Sequence, residues 1–361
     1  MIVLATISIN ISGVVLTLRC SEIGQLIDRY GRRLLNARLA VTLRCNYRCF
    51  FCHSEGIESG TKELTPSEWG LIATALRLAG VESFKFTGGE PLVRDDIVDI
   101  VKEVSNCGKP RDLSMTTNGY YLEELAGLLR DAGLDRLNIS LHSLKENVYR
   151  NITGCGDLSK VIKGIYEALN YDYRKIKLNV VVIKGVNDGE VWDIIDFAAR
   201  HGLHVQLIEL HPVGRGKHDF EKHHSTLDNI VKEIEEVSSK IVVRGELHNR
   251  PIYYLPTGIT VEVVKPVLNP LFCAACSRIR VAPDGALKPC LSGNISISVI
   301  DIIKSDMDED SKIRALIERI KQVNDARKPN ILWPISIQLE REYMKLKKHV
   351  QQSLCYRVEI V

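Results

Sequence analysis

From Ala37 onward the chain alternates short apolar runs with longer stretches in which apolar residues recur every three or four positions. The short runs are Arg38–Leu43, Ser83–Thr87, Asp112–Thr116, Arg136–Leu141, Lys177–Ile183 and His204–Leu210. They are rich in Val, Ile, Leu, Phe and Thr and bounded by Gly, Asn or Pro, which predicts strands. The stretches between them predict helices over Pro66–Ala79, Asp95–Ser105, Leu122–Ala132, Leu158–Leu169, Glu190–Arg200 and Thr226–Val237. The first helix carries its own start and stop signals: Thr65 as N-cap, Pro66 first, Glu68 third, and Gly80 past the end. Repeated strand–helix units predict a parallel sheet with right-handed crossovers. The fold class expected is α/β, a partial (βα)6 TIM-type barrel; a flat doubly wound sheet is the competing arrangement.

After about residue 240 the rhythm changes. Short strands over Ile241–Arg244, Ile252–Tyr254, Ile259–Val264, Arg278–Val281 and Ala286–Lys288, followed by two helical stretches, predict a smaller C-terminal α+β domain. The expected division is an extension over 1–24, the barrel over 25–240, the second domain over 241–335, and a helical tail over 336–361. Gln338–Gln352 reads as a basic amphipathic docking helix, and Lys304–Lys312 as a charged, solvated turn. Met1 to Leu18 carry no charge. Thr6, Ser8, Asn10, Ser12 and Thr17 interrupt them and no Lys or Arg precedes them, so they read as an extension rather than a membrane anchor.

A chain of 361 residues with 45% hydrophobic and 26% charged residues is an ordinary globular composition. The net charge of +3 is mild; it does not argue for a nucleic-acid binder, which concentrates basic residues in one stripe, and is compatible with a small anionic ligand. The ten cysteines change the picture, because six fall into two triplets. Cys20, Cys107, Cys155 and Cys355 are scattered and read as reduced thiols of a cytoplasmic protein.

Cys45, Cys49 and Cys52 directly follow the first strand, at the carboxyl end where α/β active sites form. Three thiolates in one loop wrap three irons of a [4Fe–4S] cluster and leave the fourth open. The alternative is zinc, with His53 as fourth ligand. Phe50 and Phe51 give the loop an apolar wall. Cys273, Cys276 and Cys290 form a second triplet, again with no fourth cysteine at ligand spacing. Arg278 and Arg280, two apart in a predicted strand, share one face and suit phosphate or purine edges. His218, His223 and His224 read as a solvated polar loop rather than a metal group.

The Cys-x3-Cys-x2-Cys loop, with Phe51 before its last Cys, resembles the radical S-adenosylmethionine (SAM) superfamily. Thr87-Gly88-Gly89-Glu90-Pro91 at the second strand tip resembles the GGEP segment of the same family. Thr116-Thr117-Asn118-Gly119 and Asn138-Ile139-Ser140-Leu141 fall at the next two tips. The second triplet with Arg278 and Arg280 makes the resemblance narrower, to the GTP 3′,8-cyclase family of molybdenum-cofactor biosynthesis. That match runs from about Ile27 to Trp333 and includes Asp28-Arg29-Tyr30-Gly31-Arg32, Arg38, Ile152-Thr153-Gly154, Lys177-Leu178-Asn179 and Lys184-Gly185-Val186-Asn187-Asp188. The Cys52-His53-Ser54-Glu55-Gly56 run is similar to archaeal members.

This resemblance implies two [4Fe–4S] clusters, on Cys45, Cys49 and Cys52 and on Cys273, Cys276 and Cys290. It implies SAM held by Phe51, Gly88, Gly89, Glu90, Ser140 and His211. It implies GTP held by Arg38, Lys85, Thr116, Lys177, Arg278, Ile279 (through its backbone) and Arg280, with Lys85, Arg278 and Arg280 as catalytic cations. The implied reaction removes hydrogen from C3′ of GTP, joins C3′ to C8, and gives (8S)-3′,8-cyclo-7,8-dihydroguanosine 5′-triphosphate. A low-potential electron donor, product hand-over to cyclic pyranopterin monophosphate synthase, and a monomer or homodimer are the implied partnerships. Departures from the bacterial pattern are Lys85 for Arg, Ser83 for Lys, Gln206 for Arg, His211 for Met, and a chain ending Arg357-Val358-Glu359-Ile360-Val361 without Gly-Gly. The rival readings are a two-cluster radical SAM peptide-modifying enzyme and a non-catalytic iron–sulfur or zinc protein.

Overall fold

The computed structural model describes residues 25–57 and 62–329 and, outside these, the backbone of three short strands. Two of them, β1 (Thr6–Ile11) and β2 (Val14–Arg19), pair antiparallel. Among the described residues no helix is long and apolar enough to cross a membrane.

The centre is the expected parallel sheet: β3 (Asn36–Thr42), β4 (Ser83–Gly88), β5 (Asp112–Thr117), β6 (Arg136–Ser140), β7 (Lys175–Val182) and β8 (His204–Glu209) pair in chain order. The crossovers carry α1 (Pro66–Leu78), α2 (Ile97–Ser105), α3 (Leu122–Asp131), α4 (Glu146–Thr153), α5 (Leu158–Ala168) and α6 (Val191–Arg200). Strand alternation sorts the two faces. Ala37, Leu39 and Val41 of β3 and Phe84 and Phe86 of β4 join the core with Trp69 and Ile72 of α1. Arg38 and Lys85, one position off, line a cavity on the inner side.

The α1 start signals work as the sequence implies. Thr65 Oγ1 accepts from Glu68 N at 3.4 Å, and Glu68 Oε2 accepts from Thr65 N at 2.8 Å. The periodicity did not reveal α4. It has few apolar residues, of which Tyr149 and Ile152 are buried, and it is stopped by left-handed Gly154.

After β8 come α7 (Phe220–His223), α8 (Asp228–Val237), β9 (Lys240–Arg244), β10 (Arg250–Tyr254), β11 (Thr260–Val264), α9 (Pro270–Ala274), β12 (Arg278–Val281), β13 (Leu287–Lys288), α10 (Ile300–Ile303) and α11 (Glu309–Asp325). These later strands build no sheet of their own. β11 adds parallel to β8 and β12 adds parallel to β3, so the unpaired borders of the six-stranded core are covered. The resulting order is β13-β12-β3-β4-β5-β6-β7-β8-β11-β10-β9-β14, where β14 (Glu359–Ile360) lies parallel to β9. Lys304–Lys312 is more than a turn, because α11 begins inside it, capped by Asp308, which accepts from Ser311 N at 2.9 Å. The helix expected over Gln338–Gln352 lies outside the described residues, as do Cys20 and Cys355.

Thr65→Ala removes one half of the capping box and should lower stability by about 1 kcal/mol. The check is a shift of the urea midpoint with unchanged slope.

Candidate active site

The loop carrying the first triplet leaves the end of β3 and lies against the Gly88-Gly89 turn. Gly89 N donates to Thr42 O at 2.8 Å and Glu90 N to Arg44 O at 2.8 Å. Contact is so close that a Cβ on Gly88 would stand 2.2 Å from Thr42 O, and one on Gly89 2.1 Å from Arg44 O. Gly88 also has φ 138°, which side chains rarely adopt. The two glycines therefore seat the cysteine loop. Behind it the Phe51 ring meets His142 edge-on at 4.8 Å. Glu90 is buried and accepts from Leu92 N, Thr117 Oγ1 and Asn118 N. Burial pushes its carboxyl up to about 7 against those hydrogen bonds.

The second loop is held from two distant segments. Arg32 Nη1 donates to Cys273 O at 2.9 Å, and Arg327 donates to Cys276 O. Asp28, fully buried in its side chain, pairs with Arg32 at 2.8 Å. The Asp28–Arg32 motif thus acts as a clamp on the second triplet. Burial pushes the Cys276 thiol up, but Arg327 and Arg32 outweigh it and the net shift is down.

Register places the two triplets at opposite ends of β3. Cys45, Cys49 and Cys52 follow the last residues of β3, whereas Cys276 precedes Arg278, which pairs with Asn36, the first residue of β3. At about 3.3 Å per residue the two ends of this 7-residue strand lie about 20 Å apart. All six cysteines line one cavity of about 320 Å³. None is in a disulfide.

Between the triplets the wall is basic. Arg32, Arg38, Lys85, Arg250, Arg278, Arg280 and Lys328 face it, against Glu55, Glu90 and Glu209. Glu209 is paired with His224 at 2.9 Å. Glu55 is paired with Arg38 at 3.1 Å and with Arg280. Lys85 has no hydrogen-bond or ion-pair partner among the described residues; burial, then Arg136, Arg38, Lys177 and Arg278, press it well below its usual value. Arg278 is depressed by burial and by Arg38, Arg250 and Arg280.

Of the residues implied for SAM, Phe51, Gly88, Gly89, Glu90, Ser140 and His211 all line the cavity; of those implied for GTP, so do Arg38, Lys85, Thr116, Arg278 and Arg280. Lys177 and Ile279 do not. Ile279 is fully buried and Lys177 is drawn to Glu262. Glu262 also pairs with Arg250 at 3.1 Å and Arg244 at 3.3 Å. Sequence reasoning missed Glu55, Arg250 and His248, which only the folded sheet brings to the cavity wall, and Glu262, which pairs with Lys177 and Arg250 behind it. The histidine loop is also less solvated than expected: His218 is exposed, but His223 packs on Phe50 at 5.5 Å and His224 pairs with Glu209.

The Radical SAM superfamily matches residues 39–198, and the family described as Molybdenum Cofactor Synthesis C matches residues 203–333. A protein of Metallosphaera sedula named probable GTP 3′,8-cyclase is 42% identical over 322 residues, 88% of this chain and all of the relative. Another of that name from Saccharolobus solfataricus is 44% identical over 313 residues, 86% of this chain and all of the relative. The chain belongs to the GTP 3′,8-cyclase family. Among solved structures, Streptococcus suis SuiB bound to its precursor peptide SuiA aligns at TM-score 0.59 and 14% identity, over 81% of this chain and 68% of SuiB. Histidine-tagged anSMEcpe with bound AdoMet aligns at TM-score 0.50 and 16% identity, over 81% of this chain and 79% of that one. These two likenesses concern the fold.

The residues of this GTP 3′,8-cyclase family member fit the groups its family implies. Three thiols from one loop suit the corners of a cluster. His53, the fourth ligand of the zinc alternative, has its Nδ1 engaged instead as an acceptor from Glu55 N at 3.0 Å. Asn179 Oδ1 and His211 Nδ1, on the cavity wall, are buried without a partner, which leaves polar atoms for a bound ligand to satisfy.

Burial pushes the Glu262 carboxyl up, but Arg250, Lys177 and Arg244 draw it well below its usual value. Its stabilising contribution is therefore complete above the usual carboxylate range and lost as pH falls through the depressed value. Glu262→Gln should cost about 3–5 kcal/mol at neutral pH by stranding its cations. It should also flatten the loss of stability in acid, read from denaturant melts between about pH 7 and pH 3.

Proposed function

We propose that this protein converts GTP to (8S)-3′,8-cyclo-7,8-dihydroguanosine 5′-triphosphate, the first step of molybdenum-cofactor biosynthesis, with SAM and two [4Fe–4S] clusters. The observation that carries the reading is the single basic cavity with a cysteine triplet at each end. An electron carrier needs no such cavity, and a peptide-modifying enzyme needs no such row of cations.

Cys45, Cys49 and Cys52 hold the first cluster and Cys273, Cys276 and Cys290 the second. When bound, the first cluster supplies the electron that cleaves SAM and yields a 5′-deoxyadenosyl radical. Phe51, the Gly88-Gly89 backbone, Glu90, Ser140 and His211 hold SAM beside it. Burial pushes His211 down to about 4, so it is neutral at physiological pH and offers a hydrogen bond without a charge. Arg38, Lys85, Thr116, Arg278 and Arg280 hold GTP across the middle of the cavity, where its triphosphate answers the surplus positive charge. Lys177 and the Ile279 backbone act from behind the wall. The guanine lies towards the second triplet. The barrel over 25–240 supplies the SAM site, and residues from His248 to Lys328 of the second domain the far wall. We place the protein in the cytoplasm, as a monomer or homodimer fed by a low-potential donor, passing its product to cyclic pyranopterin monophosphate synthase.

The test is anaerobic incubation of the iron-reconstituted protein with SAM, dithionite and GTP. 5′-Deoxyadenosine and a cyclised nucleotide should appear together by mass spectrometry. 5′-Deoxyadenosine with unchanged GTP would move the substrate elsewhere, and neither product from fully loaded protein would end the enzyme reading. Lys85→Gln should weaken GTP binding by roughly 10- to 100-fold, as loss of one charged contact does, measured by anaerobic equilibrium dialysis.

A further inference from the structure

The segment that follows Cys52 does not leave the cavity. His53 Nδ1 accepts from Glu55 N, and Ser54, Glu55 and Gly56 take consecutive left-handed conformations, φ 47°, 50° and 67°. Such a run costs conformational energy in two non-glycine residues, and it persists only where the surroundings hold it. Here they do. Glu55 is 2% exposed. Its Oε1 accepts from Thr87 Oγ1 at 2.8 Å and from Arg38 Nη1 at 3.1 Å, and its Oε2 pairs with Arg280. One residue later, Gly56 lies so close to the second cysteine site that a Cβ would stand 2.1 Å from Leu291 O, next to Cys290. Lys288 Nζ donates to Gly56 O.

One short run therefore begins at the first cysteine triplet, reaches the substrate arginines with its carboxylate, and ends against the loop of the second triplet. Arg38 and Arg280 are register neighbours on β3 and β12. Two guanidinia so placed repel unless an anion lies between them. We propose that Glu55 is a positioning residue acting through Arg38 and Arg280: in the free enzyme it covers part of the guanidinium surface that an anionic group of the nucleotide takes, and on binding it shares the two arginines with that group rather than leaving them. The inference rests on the GTP reading above and deepens it. Glu55 has two effects of opposite sign. It competes with the nucleotide, which weakens binding, and it holds the arginines in place for it, which speeds turnover.

That opposition makes the test sharp, because a merely structural residue would weaken both. Glu55→Gln, reconstituted to wild-type iron content, should bind GTP roughly tenfold tighter while forming cyclised product roughly tenfold more slowly. Unchanged or weaker GTP affinity overturns the proposal. Glu55→Asp keeps the charge but shortens its reach by one methylene. It should hold GTP affinity within about twofold of wild type and still turn over more slowly. If it binds GTP as tightly as Glu55→Gln does, charge competition is excluded and the proposal falls. A wild-type protein that binds no GTP would instead sink the cyclase reading itself, so the two failures are told apart.

Discussion

Arg280, Arg38 and Lys85 stand side by side in the sheet, paired across β12, β3 and β4. Neighbouring strands are about 4.8 Å apart, and three like charges at that spacing in a partly dry cavity are unfavourable unless something negative lies over them. Much of the site can be read as an answer to this row. Glu55 covers Arg38 and Arg280. Glu262, on the opposite border of the sheet, covers Lys177, Arg250 and Arg244. Lys85, between the two groups, is covered by neither. The protein thus neutralises the two flanks of its basic wall and leaves the amine at the centre without a counter-ion, where the triphosphate is proposed to lie.

The cation row also explains which parts of the site were legible from sequence. Motifs set by local backbone demands could be read directly. The cysteines of each triplet mostly lie within one loop, the Gly88-Gly89 turn must pass within contact distance of Thr42 and Arg44, and Arg278 and Arg280 share a face by strand alternation. Thr65, Pro66 and Glu68 likewise announced α1. What could not be read depends on long-range pairing. Glu55 meets Arg280, and Glu262 meets Lys177, only after strands far apart in sequence have paired. In the sequence Glu55 is one acid after a cysteine motif. Lys177 shows the same limit from the other side: the motif gave no sign of the buried carboxylate, Glu262, with which the sheet pairs it. The α4 helix escaped notice because its short sequence has few apolar positions from which to read a period.

Topology accounts for the second cysteine site. β11 ends at the carboxyl end of one sheet border, and β12 starts at the amino end of the other. The chain between them must cross the open side of the partial barrel from one end to the other. Cys273 and Cys276 ride on that crossing, which brings them in at the amino end of β3, opposite the carboxyl end that carries the first triplet. A crossing segment has no ladder of its own to fix it, and its carbonyls need donors from elsewhere. Arg32, from before the first strand of the barrel, and Arg327, from after α11, provide them. His248 N adds a third, donating to Ala275 O from the β9–β10 turn. The site therefore draws its support from both ends of the described chain at once. A fragment ending at β8 would keep the first triplet and the glycine turn, but it would lack the second triplet and four of the cavity's cations, Arg250, Arg278, Arg280 and Lys328.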